Sequence, residues 1–209
     1  MLIIARYTED ISWARDFGRD IIIYNKGDRA TIPEDLQEFV TDLPNVGRES
    51  HTYLKFITDN YTKIDPDKVY TFTQGRWNDH NVDLKKLQEI PDGLDHSRNL
   101  LDSTVWGRSC MSAYDFRIAH YIDDYTTPTI KNENYGEWYT RVVQQPFPHY
   151  YFYVYPNAIF ALKGSAILRY PRELYIRLLE EVDKEINPEA GHYIERTWSK
   201  LFAMRTNIV

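Results

Sequence analysis

Three short runs of apolar side chains, each ending in polar residues, dominate the first third of the chain. They cover residues 2–7 (LIIARY), 20–25 (DIIIYN) and 68–73 (KVYTFT). Short runs that are mainly apolar, with little alternation, are typical of strands that are buried on both faces of a parallel sheet. We therefore expect three central strands here, separated by turns and helices.

The segments between these runs indicate how the strands are connected. Residues 10–17 are long enough for a short helix only, and a second short helix is expected over residues 81–90. Residues 48–61 repeat apolar side chains at helical spacing, and Asn45 precedes them as a candidate cap. Strands that alternate with helices predict a mostly parallel sheet with helices on both faces.

The remainder of the chain is expected to be irregular first and regular again later. Residues 92–148 combine turn residues with scattered aromatic side chains, which indicates long loops with short elements that form a binding surface or a lid. Regular patterns then return, with Pro171 in a position favoured at the first turn of a helix. The expected elements are strands over 150–155 and 158–162, a helix that follows Pro171, and a last helix over 191–204. We interpret the chain as one compact α/β domain.

Composition limits the classes of function. The 209 residues carry 25 Lys and Arg against 31 Asp and Glu, a net charge of −6, which argues against non-specific nucleic-acid binding. No apolar run approaches the ~20 residues that span a bilayer, and the first residues lack the pattern of a signal peptide. The one cysteine, Cys110, cannot form an intramolecular disulfide, so a cytoplasmic protein is expected. The 17 Tyr and 5 Trp suit stacking on sugars or bases, and they also suit a protein core.

Polar clusters follow each of the three predicted strands. The carboxyl ends of parallel strands meet at one edge of an open sheet, and ligands bind outside that edge. The polar side chains expected there include Arg6, Tyr7, Asp10, Asn25, Lys26 and Gln74. A helix that begins near Arg48 would point its amino end at the same edge, where free N–H groups and the helix dipole favour a phosphate. The Arg48 guanidinium adds a donor suited to a diphosphate.

Sequence motifs of several large enzyme classes are absent. The chain contains neither a Walker loop nor a GxGxxG pattern, so P-loop and Rossmann classes lack their signature. It contains neither HExxH nor GxSxG, which weakens assignment to zincins and α/β-hydrolases. An anion site without these motifs leaves enzymes that use nucleotide sugars as a candidate class.

The segments ARYTEDISW, IIIYNKG, LPNVGRESHTYLKFITDNY, VYTFTQG and NDH resemble a domain family of unassigned function found in fungi and large algal viruses. A small viral member of that family is similar to GT-A-type glycosyltransferases of chlorella-virus capsid glycosylation. The later segments NAIFALKGSAILRYPRELYIRLLEEV and GHYIERTWSKLF are similar to the acceptor half of such enzymes. The NVGRESHTYL and ERTW blocks are the most specific parts of the resemblance.

The resemblance implies a single GT-A-like domain and an activity. Its nucleotide-sugar-binding half would cover about residues 1–91 and its acceptor half about residues 92–209. The implied activity is that of a hexosyltransferase, which moves a sugar from a nucleotide-diphosphate donor, a UDP-sugar, to a glycan or glycoprotein acceptor. For a viral protein, this reaction would take place in the host cytoplasm.

The resemblance also implies roles for individual residues. Arg6, Tyr7 and Asp10 would lie against the base and ribose, Asn25, Lys26 and Gln74 would complete the donor site, and Arg48 would approach the diphosphate. Asp79 would take the place of the Asp-X-Asp metal motif and act in catalysis. The segment around it holds one carboxylate only. One carboxylate with diphosphate oxygens and waters can hold Mn²⁺ or Mg²⁺, so the expected divalent cation is weakly bound or dispensable.

An inverting transfer also needs a group that takes the acceptor proton. The candidates are Asp124, Glu189, His192 and Glu195, and we favour Glu195 because it lies in the IERTW block.

Every candidate site residue also has a structural alternative. Asp79 could cap the helix over 81–90, Arg48 could pair with Glu49 or Asp42, and Glu195 could pair with Arg196 on a solvated helix face. Two other classes of function stay open: a non-catalytic carbohydrate- or nucleotide-binding module, and a metal-dependent hydrolase built around Asp79 and His80.

Overall fold

A β-sheet lies at the centre of the protein, and the computed structural model describes residues 1–77, 114–117, 133–148 and 159–202. Within these residues the sheet has five strands in the spatial order β3-β2-β1-β4-β5. The strands are β1 Leu2–Arg6, β2 Ile21–Asn25, β3 Val40–Asp42, β4 Val69–Gln74 and β5 Phe160–Lys163. The predicted strands over 2–7, 20–25, 68–73 and 158–162 are thereby confirmed, and the one predicted over 150–155 lies outside the described residues.

The direction of β5 makes the sheet mixed. β1 pairs in parallel with β2 and β4, and β2 pairs in parallel with β3, whereas β4 and β5 run antiparallel. The expectation of a mostly parallel sheet is therefore wrong. A four-residue apolar strand has the same pattern in either direction, and an edge strand of an α/β sheet is free to run against the others.

Helices lie on both sides of the sheet, as expected. The α-helices of the described residues are α1 Arg48–Asn60, α2 Tyr135–Val143, α3 Gly164–Ile167, α4 Arg172–Glu180 and α5 Glu189–Phe202. The 3₁₀ helices are Ser12–Phe17, Arg29–Thr31, Glu34–Phe39 and Tyr61–Lys63. No helix in these parts of the chain is long and apolar enough to cross a membrane.

Helix α2 corrects the expectation that residues 92–148 are irregular. Asn134 accepts a hydrogen bond from the Glu137 amide, and the Glu137 carboxylate accepts one from the Asn134 amide, which forms a capping box. Arg141, near the other end of the helix, donates to both Glu133 and Glu181. This fork connects α2 to the residue that follows α4.

Apolar clusters on both faces of the sheet hold the layers together. Alternation along β1 sends Ile3 towards α1, whereas Leu2 and Ile4 face the 3₁₀ helices. The larger cluster is strongly aromatic, and most of the abundant Tyr and Trp side chains that the structure describes fill it. Its largest fully buried aromatic side chains are Trp138, Trp198, Tyr53, Tyr135, Tyr175, Tyr193, Phe56, Phe72 and Phe160.

The order of the strands produces a switch point beside β1. The chain moves from β1 to β2 and β3 on one side, and α1 then carries it to β4 on the other side of β1. Open α/β sheets bind ligands outside the carboxyl ends of strands at such a point. In this sheet the switch point lies at the ends of β1 and β4, near Arg6 and Gln74.

Candidate functional site

A cleft of about 230 Å³ opens at the carboxyl end of β4, between the first turns of α1 and α5. Arg48, Gln74 and Glu195, which the sequence singled out separately, all line it. The full lining is Gly47, Arg48, Glu49, Ser50, Gln74, Asn187, Pro188, Gly191, His192 and Glu195. The structure thus brings three of the predicted site residues together at one place.

The amino end of α1 enters this cleft without a side-chain cap. Its N-cap residue is Gly47, not the expected Asn45, and the first ladder hydrogen bond runs from the His51 amide to the Gly47 carbonyl. The amides of Arg48, Glu49 and Ser50 precede that bond, so the helix does not use them. Uncapped amides and the positive end of the helix dipole make this turn attractive to an anion.

The backbone at the start of α1 is unusual. Gly47 has φ +60, and a Cβ there would lie 2.2 Å from the Val182 carbonyl oxygen. The Gly47 amide donates to the Glu185 carbonyl at 2.7 Å. Arg48 also has a positive φ, 47°, which costs a side-chain-bearing residue energy and is concentrated at functional sites.

Lys26 fixes the same turn from the end of β2. Its ammonium donates to the carbonyl oxygens of Val46 and Arg48. Burial lowers the pKa of Lys26 to about 7, and the nearby charge of Glu49 acts in the opposite direction. Lys26 was predicted to contact a ligand, and in the structure its contacts are with the backbone that precedes and begins α1.

Arg6 and Asn25 lie on the opposite face of the sheet from α1. Arg6 shares the face of Leu2 and Ile4, is 2% exposed, and donates to the Asn25 amide oxygen at 2.6 Å. Asn25 in turn donates to Asp42 at 2.8 Å. Neither residue lines the cleft, because strand alternation turns their side chains to the other face.

Tyr7 and Asp10 follow β1 and lie outside the cleft lining as well. The Tyr7 side chain is half exposed. Asp10 accepts hydrogen bonds from the amide and the hydroxyl of Ser12, and these bonds lower the pKa of Asp10. Asp10 thus stabilises the start of the 3₁₀ helix Ser12–Phe17.

On the other side of the cleft, α5 presents His192 and Glu195, which are one turn apart. The carboxylate of Glu195 lies 3.8 Å from the guanidinium of Arg196. Arg196 also donates to the His192 carbonyl at 2.8 Å and stacks over the Phe116 ring. Glu189, another candidate base, is not among the lining residues and accepts a hydrogen bond from Tyr193.

Sequence reasoning missed Ser50 and Asn187 as residues of the site. Both stand beside a helix start, Ser50 in the first turn of α1 and Asn187 ahead of α5. The two predicted helix starts could have indicated them, since polar residues at a helix start can line a space that the amino ends of two helices enclose.

The predicted metal residue is not among the described residues. Asp79 falls outside them, as do His80, Asp124 and Cys110. Across the described ranges, no group of three or more His, Cys, Asp or Glu side chains is arranged to hold a metal ion. Glu49 and Glu195 are the carboxylates that line the cleft, so the described lining does not form a cation site by itself.

Together these features define an α/β protein with a polar cleft at the carboxyl edge of its parallel strands. The chain belongs to the family described as "Protein of unknown function (DUF3431)", whose model matches residues 2–208. No curated protein and no solved structure matches the chain. The predicted membership of a family of unassigned function is confirmed. The similarity to glycosyltransferases stays a prediction.

Proposed function

We propose that this protein is a glycosyltransferase of the GT-A type, which moves a sugar from a UDP-sugar to a glycan or glycoprotein acceptor. One observation carries the proposal: a cation at an uncapped helix start, Arg48, and a carboxylate on a second helix, Glu195, line the same cleft. Glycosyl transfer needs one group of each kind, one for the leaving diphosphate and one for the acceptor proton.

The turn that begins α1 would bind the diphosphate. Its free amides and helix dipole favour negative charge, and the guanidinium of Arg48 can donate two parallel hydrogen bonds to phosphate oxygens. The Arg48 side chain is 49% exposed and lies 3.7 Å from Glu49, a weak pairing that a diphosphate can replace. Charge that develops on the leaving group would be stabilised here.

Glu195 would act on the acceptor. In an inverting reaction the acceptor hydroxyl oxygen bonds to the anomeric carbon, the bond from that carbon to the diphosphate oxygen breaks, and the electron pair leaves with the diphosphate. Glu195 takes the hydroxyl proton, and His192 is the second titratable group on its helix face.

Tyr7 and Asp79 are the candidate residues for the donor's base and for a metal ion. Tyr7, half exposed after β1, is suited to stack on a base. Asp79 is the residue that the family resemblance assigns to Mn²⁺ or Mg²⁺, which would supply further charge to the leaving group.

Thermal-shift measurements with UDP, UDP-sugars and free glycans, with and without Mn²⁺, test the proposal. A ligand that binds the folded state stabilises it by about 3 kcal/mol at roughly 100 times its Kd. We expect UDP to raise the melting temperature of the wild type and not that of Arg48→Ala. Arg19→Ala is the matched control, since Arg19 is an exposed, singly paired arginine before β2, at the opposite edge of the sheet.

A response to free glycan without a response to nucleotide would replace this proposal with a carbohydrate-binding module. Metal-dependent turnover of phosphoesters without an acceptor would replace it with a hydrolase. Glu195→Gln separates binding from chemistry: it should retain the UDP response and lose transfer by two or more orders of magnitude, the contribution typical of a general base, ~10²–10⁴. Normal transfer by Glu195→Gln would remove that residue from the mechanism.

A further inference from the structure

The hydroxyl of Ser50 is buried at the cleft without a hydrogen-bond partner. Ser50 is the third residue of α1, is 1% exposed, and lines the cleft beside Arg48. Within the described part of the chain, its Oγ makes no hydrogen bond. Buried hydroxyls are normally paired, because an unsatisfied one loses its hydration without compensation.

The start of the helix leaves this hydroxyl without the acceptor that serines in helices can use. A serine inside a helix can donate to the carbonyl oxygen four residues earlier. For Ser50 that residue is Val46, which precedes the N-cap Gly47 and therefore lies outside the helix. The Val46 carbonyl accepts a hydrogen bond from the ammonium of Lys26, which holds the turn in place.

We propose that Ser50 Oγ donates a hydrogen bond to a phosphate oxygen of the ligand, next to the free amides of Glu49 and Ser50. This inference deepens the proposed function and rests on it for the identity of the whole ligand. An unpaired buried hydroxyl, three unused amides and a positively charged side chain together present donors to one small volume. A phosphate group offers the matching set of acceptors.

The size of the cleft specifies which part of the ligand binds there. Sites for whole small molecules have volumes of ~300–1,000 Å³. The described cleft, at about 230 Å³, fits a diphosphate better than a complete nucleotide sugar. Glu49 and Glu195 also line it, so the anion is favoured at the amides and at Arg48 and not elsewhere in the cleft.

Lys26 is a positioning residue in this arrangement. It touches the backbone of Val46 and Arg48. By holding these two carbonyls, its ammonium fixes the turn that carries the Ser50 hydroxyl.

Calorimetric binding of inorganic pyrophosphate to Ser50→Ala, combined with thermal unfolding, tests the proposal. Thr52→Val is the matched control. Thr52 is a fully buried residue of the same helix, and its hydroxyl is likewise unpaired within the described chain. Unlike Ser50, Thr52 does not line the cleft. We expect Ser50→Ala to bind pyrophosphate roughly tenfold to a hundredfold more weakly than the wild type, the value of a hydrogen bond to a charged group. Thr52→Val should bind it as the wild type does.

Thermal stability distinguishes a ligand role from a structural one. Removing an unpaired buried hydroxyl should leave the melting temperature unchanged or raise it, for Ser50→Ala as for Thr52→Val. A lowered melting temperature with unchanged pyrophosphate affinity for Ser50→Ala would show a structural hydroxyl and overturn the proposal. Wild-type protein that binds no pyrophosphate at millimolar concentration would overturn it as well.

The same titrations separate this inference from the proposed function. If the wild type binds pyrophosphate through Ser50 but ignores UDP and UDP-sugars, the phosphate site stands and the glycosyltransferase proposal fails. If UDP binds equally well to the wild type and Ser50→Ala, the role of Ser50 fails and the proposed function stands.

Discussion

Replacing Gly47 with Ala should disrupt the turn that begins α1 and lines the cleft. Gly47 has φ +60, and a Cβ there would lie 2.2 Å from the Val182 carbonyl oxygen and 2.7 Å from the His51 Cβ. Distances under 3.0 Å are essentially never found for a Cβ, so backbone must move. The movement would separate the start of α1 from the segment that leads into α5, which are the two sides of the cleft.

The expected cost has two separable parts. The left-handed conformation costs a residue with a Cβ roughly 1–2 kcal/mol. Forcing a methyl group into packed backbone costs about 1–3 kcal/mol more. We therefore expect Gly47→Ala to lose about 2–5 kcal/mol of unfolding free energy, a large share of the ~5–15 kcal/mol that stabilises a typical domain.

Urea unfolding of the wild type and Gly47→Ala measures this loss. Pyrophosphate affinity should fall in the variant as well, because the same turn lines the cleft. A loss of roughly 1–2 kcal/mol or less, the cost of the left-handed conformation alone, would refute the rigid contact between α1 and Val182.

Three further predictions concern buried or networked charges. Burial and the charges of Lys26 and Lys55 lower the pKa of His51 from 6.5 to about 4. The imidazole therefore binds a proton more tightly in the unfolded chain than in the folded one. The unfolding free energy should fall by about 3 kcal/mol as the pH falls from 6.5 to 4. Urea titrations across that range should show a smaller loss for His51→Gln, and identical losses would contradict a buried neutral imidazole. In the wild type, we expect pyrophosphate affinity to decline as Lys26 loses its proton around pH 7. Lys26→Met should bind pyrophosphate more weakly than the wild type at pH 6 and should not show that decline. Arg141→Met removes the donor shared by Glu133 and Glu181. Because this arginine is half exposed, we expect the unfolding free energy to fall by about 1–2 kcal/mol, and by less at high salt. Arg19→Ala, the control, should change the unfolding free energy by less than about 0.5 kcal/mol.

The local sequence pattern was sufficient to predict the strands and helices whose faces are buried. β1, β2 and β4 are nearly continuous apolar runs, and α1 repeats its aromatic residues at helical spacing, so each element has its own signal. β3 has three residues and no apolar run, and it exists because the edge of β2 pairs with it. Helix α2 did carry signals, namely its capping box and apolar residues one turn apart, but the aromatic side chains of that region were interpreted as a loop surface.

The candidate site was predictable only in part, because its residues depend on which face of the sheet each side chain takes. Arg48, Gln74 and Glu195 meet as expected for residues at the carboxyl edge and on the last helix. Arg6 and Asn25 do not join them, although alternation with Leu2 and Ile4 already indicated the other face for Arg6. The unpaired hydroxyl of Ser50 was beyond sequence reasoning, since only the folded chain determines whether a buried hydroxyl meets an acceptor.

The position of the cleft connects these observations to the proposed chemistry. The predicted boundary near residue 91 divides the chain into an earlier part, which supplies Arg48 and Gln74, and a later part, which supplies His192 and Glu195. The two parts are joined at the cleft itself, where the Gly47 amide donates to the Glu185 carbonyl. That backbone contact, together with the packing of Tyr53 on Trp198, would fix the separation between a leaving group bound by α1 and a base carried by α5. Changes at Gly47 should consequently impair both binding and transfer, whereas changes at Glu195 should impair transfer alone.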